Sequence, residues 1–318
     1  MDAVVSNSRD MIRKGSRSFA LASRLFDSTT RDDAWMLYAW CRHCDDEIDG
    51  QELGMLTARS ASALRPMRSG EAAGRLERLR VQTHQALAGN PGLPPPFMGL
   101  QRVAREHMIP EQYPLELLAG FEMDVSNFRY ETLDQTMSYC YRVAGVVGVM
   151  MALVMGVRKR PALQRAADLG IAFQLTNISR DVIDDALNGR CYLPLEWLSD
   201  VGMTPEAVGA AGNRKTVAAL VERLLAEADR YYQSATAGLQ SLSFRSAWAV
   251  ATALGVYRDI GRVVRHDGAH AWDQRAVVSL PRKLWQVSNG AMRAIQAVTV
   301  DRRRHEAPRA SDLWLIPD

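Results

Sequence analysis

The sequence predicts an all-α protein, a single domain of packed helices around a central cavity. Apolar residues recur with a helical period along almost all of the 318 residues. No segment alternates apolar and polar residues over the length of a strand, and a hydrophobic content of 47% is enough to bury a large core. Because no change in composition marks a boundary, we predict one domain over residues 1–300 and a tail over 301–318.

Breaks rich in glycine and proline separate the predicted helices, the clearest at 89–96, 189–194 and 202–205. The helices are expected at 5–25, 30–50, 53–65, 72–88, 96–106, 112–127, 131–157, 160–187, 215–239, 243–265 and 279–297. The tail is basic, contains prolines and shows no period, so we expect it to be disordered.

Composition excludes several classes of function. A formal net charge of +3 is too small to indicate nucleic-acid binding, and no basic aromatic module accompanies it. The pattern Cys41-x-x-Cys44 lacks the second cysteine pair of a zinc site. The most apolar run, 143–157, is shorter than the roughly 20 residues that cross a bilayer. With no signal peptide recognised before the first predicted helix, we expect a cytoplasmic bacterial-type protein without a membrane span.

Two acidic pairs indicate the chemistry. Asp45 and Asp49 form one Asp-x-x-x-Asp pair, and Asp181 and Asp185 form another. A spacing of four places both carboxylates on one helical face, about 5–6 Å apart at Cβ, where like charges repel. One such pair is usually a solvated surface, but a second copy on an apolar helix calls for a counter-charge. Mg²⁺ prefers carboxylate oxygens and completes its shell with substrate phosphates. The sequence therefore predicts an enzyme that handles diphosphates.

Each pair ends a longer polar stripe on an otherwise apolar helix. Tyr38 and Arg42 precede the first pair on the same face, and Gln174 and Asn177 precede the second. A polar stripe on an apolar helix points into a cavity more often than into bulk water. We therefore predict that the two stripes face each other near one end of the cavity.

Longer segments carry a resemblance to a known family. They are residues 15–19, 37–49, 139–148, 172–185, 189–194 and 257–258. These segments resemble the motifs of the squalene/phytoene synthase family of head-to-head prenyltransferases, and they are most similar to its bacterial carotenoid branch. The resemblance extends over nearly the whole chain, from about residue 10 to residue 290.

The resemblance implies an isoprenoid-synthase-type bundle and a reaction in two steps. One geranylgeranyl diphosphate ionises with the help of Mg²⁺, or of Mn²⁺ as a substitute, and attacks a second one to give prephytoene diphosphate. That intermediate ionises, rearranges and loses a proton to give phytoene, so no NADPH is expected. The implied partners are two prenyl diphosphates, a membrane contacted peripherally, and a phytoene desaturase that receives the product.

The resemblance also assigns roles to residues of the matched segments. The implied metal ligands are Asp45, Asp49, Asn177, Asp181 and Asp185. Tyr38 and Tyr139 join the four aspartates as catalytic residues, because an aromatic face would stabilise a carbocation. The implied substrate-binding residues are Ser16, Ser18, Phe19, Arg42, Gln174, Asn177, Arg180 and Tyr257.

Three alternatives stay open at this level. A squalene or dehydrosqualene synthase, which uses farnesyl diphosphate, shares every catalytic motif. A terpene cyclase or head-to-tail elongase shares an aspartate-rich first motif, but its second motif is absent from this sequence. A catalytically silent relative that acts as an assembly factor would be expected to lose aspartates, and here all four are present.

Overall fold

The computed structural model describes residues 2–52, 55–56, 69–303 and 308–317, and helices make up most of them. The all-α prediction is confirmed. The α-helices are α1 (Ala3–Gly15), α2 (Arg17–Ser23), α3 (Ser28–Asp49), α4 (Ser69–Leu87), α5 (Pro95–His107), α6 (Gln112–Val125), α7 (Leu133–Cys140), α8 (Val146–Val154), α9 (Arg160–Leu187), α10 (Leu195–Asp200), α11 (Arg214–Gly238), α12 (Phe244–Asp267) and α13 (Leu280–Thr299). A short antiparallel pair, β1 (Gln51–Glu52) and β2 (Met55–Leu56), follows α3. The predicted helix over 53–65 lies mostly outside the described residues.

Helix α9 packs against α8, α11 and α12, and it carries the second acidic pair. Its buried residues include Ile171, Leu175 and Ile178, which belong to the main hydrophobic core. A helix enclosed by neighbours on several sides is apolar around much of its circumference. The polar positions that remain on α9 are therefore confined to a narrow stripe.

The predicted helix over 5–25 is two helices. Ser16 adopts an extended conformation (φ −152°, ψ 103°), and this conformation ends α1. The Ser16 hydroxyl accepts a hydrogen bond from the amide of Phe19 at 3.3 Å and caps α2. A serine cap satisfies an amide at the start of a helix, and this compensates for the break. The bend turns α2 so that Phe19 reaches the aromatic interior described below.

The predicted helix over 131–157 contains a π-helical turn, Tyr141–Gly145, between α7 and α8. Among the residues that the structure describes, the stretch Leu133–Val154 is the one long and apolar enough to cross a membrane by length and composition. Of its most apolar window, 61% is buried inside the protein. This burial is typical of a core helix. The stretch is longer than the 143–157 run noted in the sequence because it begins ten residues earlier, at Leu133.

Glycines bring this core helix into backbone contact with α9. A Cβ atom on Gly170 would lie 2.1 Å from the carbonyl oxygen of Ala144, and one on Gly148 would lie 2.3 Å from that of Ala166. Such distances are far inside van der Waals contact, so no larger residue fits at either position. The backbone of the π-helical turn and that of α9 therefore fix each other's position directly.

The C-terminal segment 308–317 lies against the bundle, which corrects the expectation of a disordered tail for these residues. Arg309 donates three hydrogen bonds of 2.8–3.1 Å to the fully buried carboxylate of Asp168. Leu313 and Ile316 are buried in the main core, and the amide of Trp314 donates to the hydroxyl of Tyr231 at 3.0 Å. A buried carboxylate needs a partner of opposite charge. The composition of the tail does not reveal that such a carboxylate lies on α9.

The other predicted helices agree with the structure within three residues at each end. The short helix α10 was not predicted, because its six residues are too few to show a period.

Candidate active site

Both acidic pairs lie at the C-terminal ends of their helices. Asp49 is the last residue of α3, which Gly50 terminates with a left-handed conformation (φ 63°). Asp185 lies two residues before the end of α9. The C-terminus of a helix carries the negative end of its dipole, so carboxylates there are unfavourable. Residues whose position is unfavourable for folding are concentrated at functional sites.

Arginines on the same helices partly compensate the acids. Arg42 contacts Asp45 at 3.0 Å and Asp46 at 2.8 Å. On α9, the Nε of Arg180 donates to Asp181 at 2.8 Å, and its Nη2 donates to the other oxygen of the same carboxylate. Both predicted diphosphate-binding arginines thus lie beside the acidic pairs. Among the described residues, the buried Nε of Arg42 has no hydrogen-bond partner.

Arg190 connects the two acidic regions. It follows Gly189, whose positive φ of 80° turns the chain back at the end of α9. Its Nη2 donates to Oδ1 of Asp49 on α3 at 2.7 Å, and its charge also acts on Asp185. The structure therefore brings the two predicted stripes together around one recess, as the sequence predicted.

One carboxylate of each acidic pair has a raised pKa. Burial, with the charge of Asp181 next, raises the pKa of Asp185 to about 8. Asp45 lines the open side with 41% of its side chain exposed, yet burial by the surrounding atoms and the charge of Asp49 raise its pKa to about 7. In each pair the charge of one carboxylate adds to the effect of burial on the other, so negative charge is locally in excess.

This excess of negative charge fits a divalent cation. The four aspartates and Asn177 offer the oxygen ligands that Mg²⁺ prefers, and Mg²⁺ commonly uses only one or two carboxylates together with substrate phosphates. Such a ligand set leaves positions for substrate phosphates, and this agrees with acids that face a recess from two helices. The donor chemistry fits the predicted metal.

A fifth acid, Asp124 on α6, was not predicted from the sequence. Its carboxylate accepts hydrogen bonds from the hydroxyls of Tyr139 at 3.0 Å and Tyr192 at 2.8 Å. The two rings stack with centroids 4.8 Å apart. Burial raises the pKa of Asp124 to about 6, although Arg190 and the two hydroxyls favour the charged form. The available signal was the buried stripe of α6 at Leu117 and Phe121, which Asp124 continues at helical spacing.

Aromatic side chains line the interior next to the acids. Phe173 stacks on Tyr257 with centroids 4.2 Å apart, and Phe19 lies 5.4 Å from Tyr257 and 6.2 Å from Tyr38. The predicted residues Phe19, Tyr38 and Tyr257 are therefore brought together by α2, α3 and α12, whereas Phe173 was not predicted. Tyr139 belongs instead to the cluster around Asp124.

The remaining predicted residues lie on the expected helices. Gln174 and Asn177 are half-buried on α9, and their amides are 3.4 Å apart. Ser18 is half-buried on α2, one residue before Phe19. Arg275, which was not predicted, reaches within 3.7 Å of Asp181 from the segment before α13.

A pocket of 190 Å³ opens beside this recess. It is lined by Asp124, Arg190 and Tyr192, and by Phe128 and Leu187 at its edge. Pockets that enclose drug-sized ligands measure about 300–1,000 Å³. The pocket is smaller than this range, so its volume matches a small polar group rather than a drug-sized ligand.

A separate acidic group lies far from the recess. Asp33, Glu106 and His107 have ligand atoms within 4.8 Å of one another, and His107 contacts Asp33 at 2.9 Å. Asp33 precedes Asp45 by about three turns of α3, or roughly 18 Å along the helix. An ion pair between His107 and the buried Asp33 accounts for this cluster, and it takes no part in the paired aspartates.

An all-α bundle whose two acidic helix ends face one recess defines the isoprenoid-synthase class. The fold aligns with a crystal structure of a dehydrosqualene synthase at a TM-score of 0.79 and 26% identity, covering 91% of this chain and 95% of that one. A squalene synthase from Alicyclobacillus acidocaldarius aligns at 0.69 with 20% identity, covering 84% of this chain and 94% of that one, which shows the fold alone.

The sequence comparisons then give the family. A family model described as squalene/phytoene synthase matches residues 12–282, so the chain belongs to the squalene/phytoene synthase family. A 15-cis-phytoene synthase from Pantoea ananas is 47% identical over 315 residues, covering 99% of this chain and 98% of that protein. One from Enterobacter agglomerans is 50% identical over 305 residues, covering 95% and 99%. The predicted head-to-head prenyltransferase family is confirmed.

Proposed function

We propose that this chain joins two geranylgeranyl diphosphates head to head, through prephytoene diphosphate, and releases 15-cis-phytoene for carotenoid biosynthesis. The observation that carries the proposal is the recess between the ends of α3 and α9, where five carboxylates meet Arg42, Arg180 and Arg190. Near-full-length identity of 47–50% to proteins named 15-cis-phytoene synthase supports the twenty-carbon substrate.

Asp45, Asp49, Asn177, Asp181 and Asp185 would hold Mg²⁺. When bound, the ion would neutralise the charge that makes diphosphate a poor leaving group. The arginines orient the head groups: Arg42 and Arg180 lie beside the two acidic pairs, and Arg275 also reaches Asp181. A charge-assisted hydrogen bond from a guanidinium fixes both the position and the direction of a phosphate.

The aromatic residues act on the hydrocarbon. Phe19, Phe173 and Tyr257 exclude water from the path along which an allylic cation must travel. Tyr139 donates its hydroxyl proton to Asp124 in a hydrogen bond, which increases the electron density of its ring. Burial raises the pKa of Tyr139, so the phenol stays protonated and cannot trap the cation as a phenolate. Asp124 is therefore a positioning residue for Tyr139.

Fifteen-carbon coupling is the second candidate, because the fold aligns with a dehydrosqualene synthase at a TM-score of 0.79. The identity to that protein is 26%, well below the 47% and 50% shared with the phytoene synthases. We therefore rank farnesyl diphosphate below geranylgeranyl diphosphate, and a non-catalytic assembly role below both.

The test is product analysis with purified protein, Mg²⁺ and either diphosphate alone. Phytoene from the twenty-carbon substrate supports the proposal, and a thirty-carbon hydrocarbon from the fifteen-carbon substrate favours the second candidate. Absence of any hydrocarbon supports the non-catalytic role. EDTA should abolish turnover, and full activity in its presence would remove Mg²⁺ from the proposal. Omitting NADPH should leave the product unchanged.

The substrate and product chemistry suggests where the protein works. The product is a long hydrocarbon and the substrate carries a long hydrocarbon chain, so we propose a cytoplasmic protein that contacts the membrane peripherally and passes phytoene to a desaturase. Flotation with vesicles tests this contact directly.

A further inference from the structure

Helix α13 presents its large apolar side chains outward. Its buried face consists of Gln286, Gly290, Ala294 and Ala297, which are small or polar. We call the outer set the α13 face: Leu280 (67% exposed), Leu284 (53%), Trp285 (51%), Met292 (71%) and Ile295 (52%). A surface helix normally buries its large apolar side chains and exposes its polar ones. The orientation of α13 is the reverse.

Contacts with α12 fix this orientation. A Cβ atom on Gly290 would lie 2.5 Å from Oγ1 of Thr252, so the two helices meet through small residues. On the same side, Gln286 donates to the buried Asp259 at 2.5 Å, and Arg282 contacts that carboxylate at 2.7 Å. Rotating α13 to bury its apolar face would leave the Asp259 carboxylate without these donors, and this is costly. The apolar side chains are therefore held outward.

Positive charge is concentrated around the same helix. Residues 274–303 contain six basic side chains (Arg275, Arg282, Lys283, Arg293, Arg302 and Arg303) and one acidic side chain (Asp301), a net charge of +5. Because the whole chain carries +3, the other residues together carry 3 − 5 = −2. The guanidinium of Arg282 also lies over the ring of Trp285, 4.5 Å from its centroid. The outward apolar side chains thus lie in a segment of strongly positive net charge.

We propose that the α13 face is the surface on which the protein lies against an anionic lipid bilayer. A helix with large apolar residues on one side and flanking basic residues binds in the plane of a membrane interface. Tryptophan and arginine are suited to the boundary between acyl chains and head groups. At about 1.5 Å per residue, the 20 residues of α13 give a contact roughly 30 Å long.

The segment that leads into α13 contacts the catalytic recess through Arg275. Arg275 lies 3.7 Å from Asp181, and the exposed Val277 follows it before α13 starts. This inference rests on the proposed function for its biological meaning, since a bilayer would deliver substrate and receive product close to the recess. Its physical basis, the outward apolar side chains and the surrounding charge, is independent of the reaction.

Charge favours lipid over a second copy of this chain. Two copies meeting through this face would bring two segments of net charge +5 together, and like charges at an interface oppose association. Anionic head groups complement the same charge, with each basic residue near the surface contributing to binding. An apolar surface surrounded by positive charge therefore fits an anionic bilayer.

Flotation with vesicles tests the proposal. Vesicles of phosphatidylcholine, with or without phosphatidylglycerol, are mixed with the wild type, with the double variant Leu284→Glu/Ile295→Glu, and with the control Val81→Glu/Met98→Glu. The control residues are 46% and 39% exposed and lie on other helices. We expect the α13 variant to partition at least about tenfold more weakly, because two apolar anchors are lost. The control should float like the wild type, and turnover in detergent should stay the same for all three proteins.

A second pair of substitutions tests the charge. Lys283→Gln and Arg303→Gln should each weaken binding to phosphatidylglycerol vesicles about fivefold, with little effect on phosphatidylcholine alone. These side chains are outside the packed interior, so the folded state should be retained.

The outcomes separate the two proposals. If the wild type and the α13 variant float equally, the membrane contact stands but this face does not make it. If the wild type never floats, peripheral association itself fails, while phytoene formation in detergent still tests the catalytic proposal. If the variant changes only the oligomeric state in gel filtration, the face is a contact between copies and the lipid proposal is overturned.

Discussion

The Nη2 atom of Arg190 lies 2.7 Å from Oδ1 of Asp49, which joins the loop after α9 to the last residue of α3. This bond closes one side of the recess between the acidic pairs. Burial opposes the charge on Arg190, but Asp49 and Asp124 raise its pKa and keep it protonated. The cation is therefore a permanent part of the site.

Replacing Arg190 by Gln should lower kcat/KM about 10- to 100-fold, because a hydrogen bond between charged groups typically contributes about 1.5–3 kcal/mol. Steady-state kinetics with geranylgeranyl diphosphate measures the effect. Arg129→Gln is the matched control, since Arg129 lines the same pocket but is exposed and pairs with Glu206. Equal losses in both variants would show that general electrostatic attraction, rather than the contact with Asp49, matters.

Substitutions of Tyr139 should separate its ring from its hydroxyl. Tyr139→Phe keeps the aromatic face and loses the hydrogen bond to Asp124, which costs about 1 kcal/mol. Tyr139→Leu also removes the ring, and a desolvated cation–π contact is worth about 2 kcal/mol or more. We expect kcat to fall less than about tenfold in the first variant and much further in the second. Similar kcat values for the two would assign the role to the hydroxyl.

Conservative changes of the four paired aspartates should differ in their products. Both diphosphates must be held in the first coupling, whereas only one remains in the second ionisation. Asp181→Asn and Asp185→Asn, next to Gln174 and Asn177, should slow the second step more and let prephytoene diphosphate accumulate. Quenched reactions analysed for both products measure this, with the kcat and KM of each step.

The matched control for this series is Asp184→Asn, because Asp184 lies on α9 but is exposed. It should retain wild-type products. Loss of both steps in equal proportion in all four variants of Asp45, Asp49, Asp181 and Asp185 would show that the aspartates act as one indivisible unit.

The metal-free protein should become less stable as the pH rises. Asp45 and Asp185 have folded-state pKa values of about 7 and 8, above the ordinary value of 3.8. Between about pH 4 and pH 8 the folded state therefore binds more protons than the unfolded state, so the free energy of unfolding falls as the pH rises. We expect Tm without metal to drop by a few degrees from pH 5 to pH 8.5.

Mg²⁺ should raise Tm more at pH 8.5 than at pH 5, because it binds the ionised carboxylates. Thermal unfolding of the wild type and of Asp45→Asn/Asp185→Asn, with and without Mg²⁺, measures both effects. The double variant should show a flatter pH dependence. A wild-type Tm that rises with pH in the absence of metal contradicts the assigned direction.

Two glycine substitutions should change stability in opposite directions. Gly170→Ala would force a Cβ atom to within 2.1 Å of a backbone oxygen, so it should destabilise the fold by about 3 kcal/mol or more. Gly74→Ala, on α4, meets only the end of the Arg78 side chain at 3.8 Å. It should stabilise the fold by about 0.5–1 kcal/mol, because alanine is the better helix former. Chemical denaturation measures both changes.

The acidic stripes could be predicted because helical spacing is a property of the sequence alone. Asp45 and Asp49 are predicted to share a face, and Asp181 and Asp185 likewise, wherever the two helices lie. That the stripes face each other was predicted because a polar stripe on an apolar helix points into a cavity, and Arg190 agrees with it by contacting the first pair from the end of the second helix.

Other features depend on tertiary contacts that no local pattern reveals. Asp124 is one acid at the end of an apolar stripe, and only the hydroxyls of Tyr139 and Tyr192 show that it belongs to the site. In the sequence, Arg309 is indistinguishable from the other arginines of the tail, and only the structure shows that it pairs with the buried Asp168. The helical period of the sequence predicts α13 itself, but contacts with α12 decide the direction in which Trp285 points.

The placement of both acidic pairs at helix C-termini has a consequence for the sequence in which ligands can arrive. Two helix dipoles and the ionised carboxylates direct negative potential toward one recess, which opposes the attraction of a bare prenyl diphosphate to Arg42, Arg180 and Arg190. The head group has to enter either accompanied by its counter-ion or after it. On the proposed function, we therefore expect free phosphate or diphosphate to bind the recess more weakly without a divalent cation than with one.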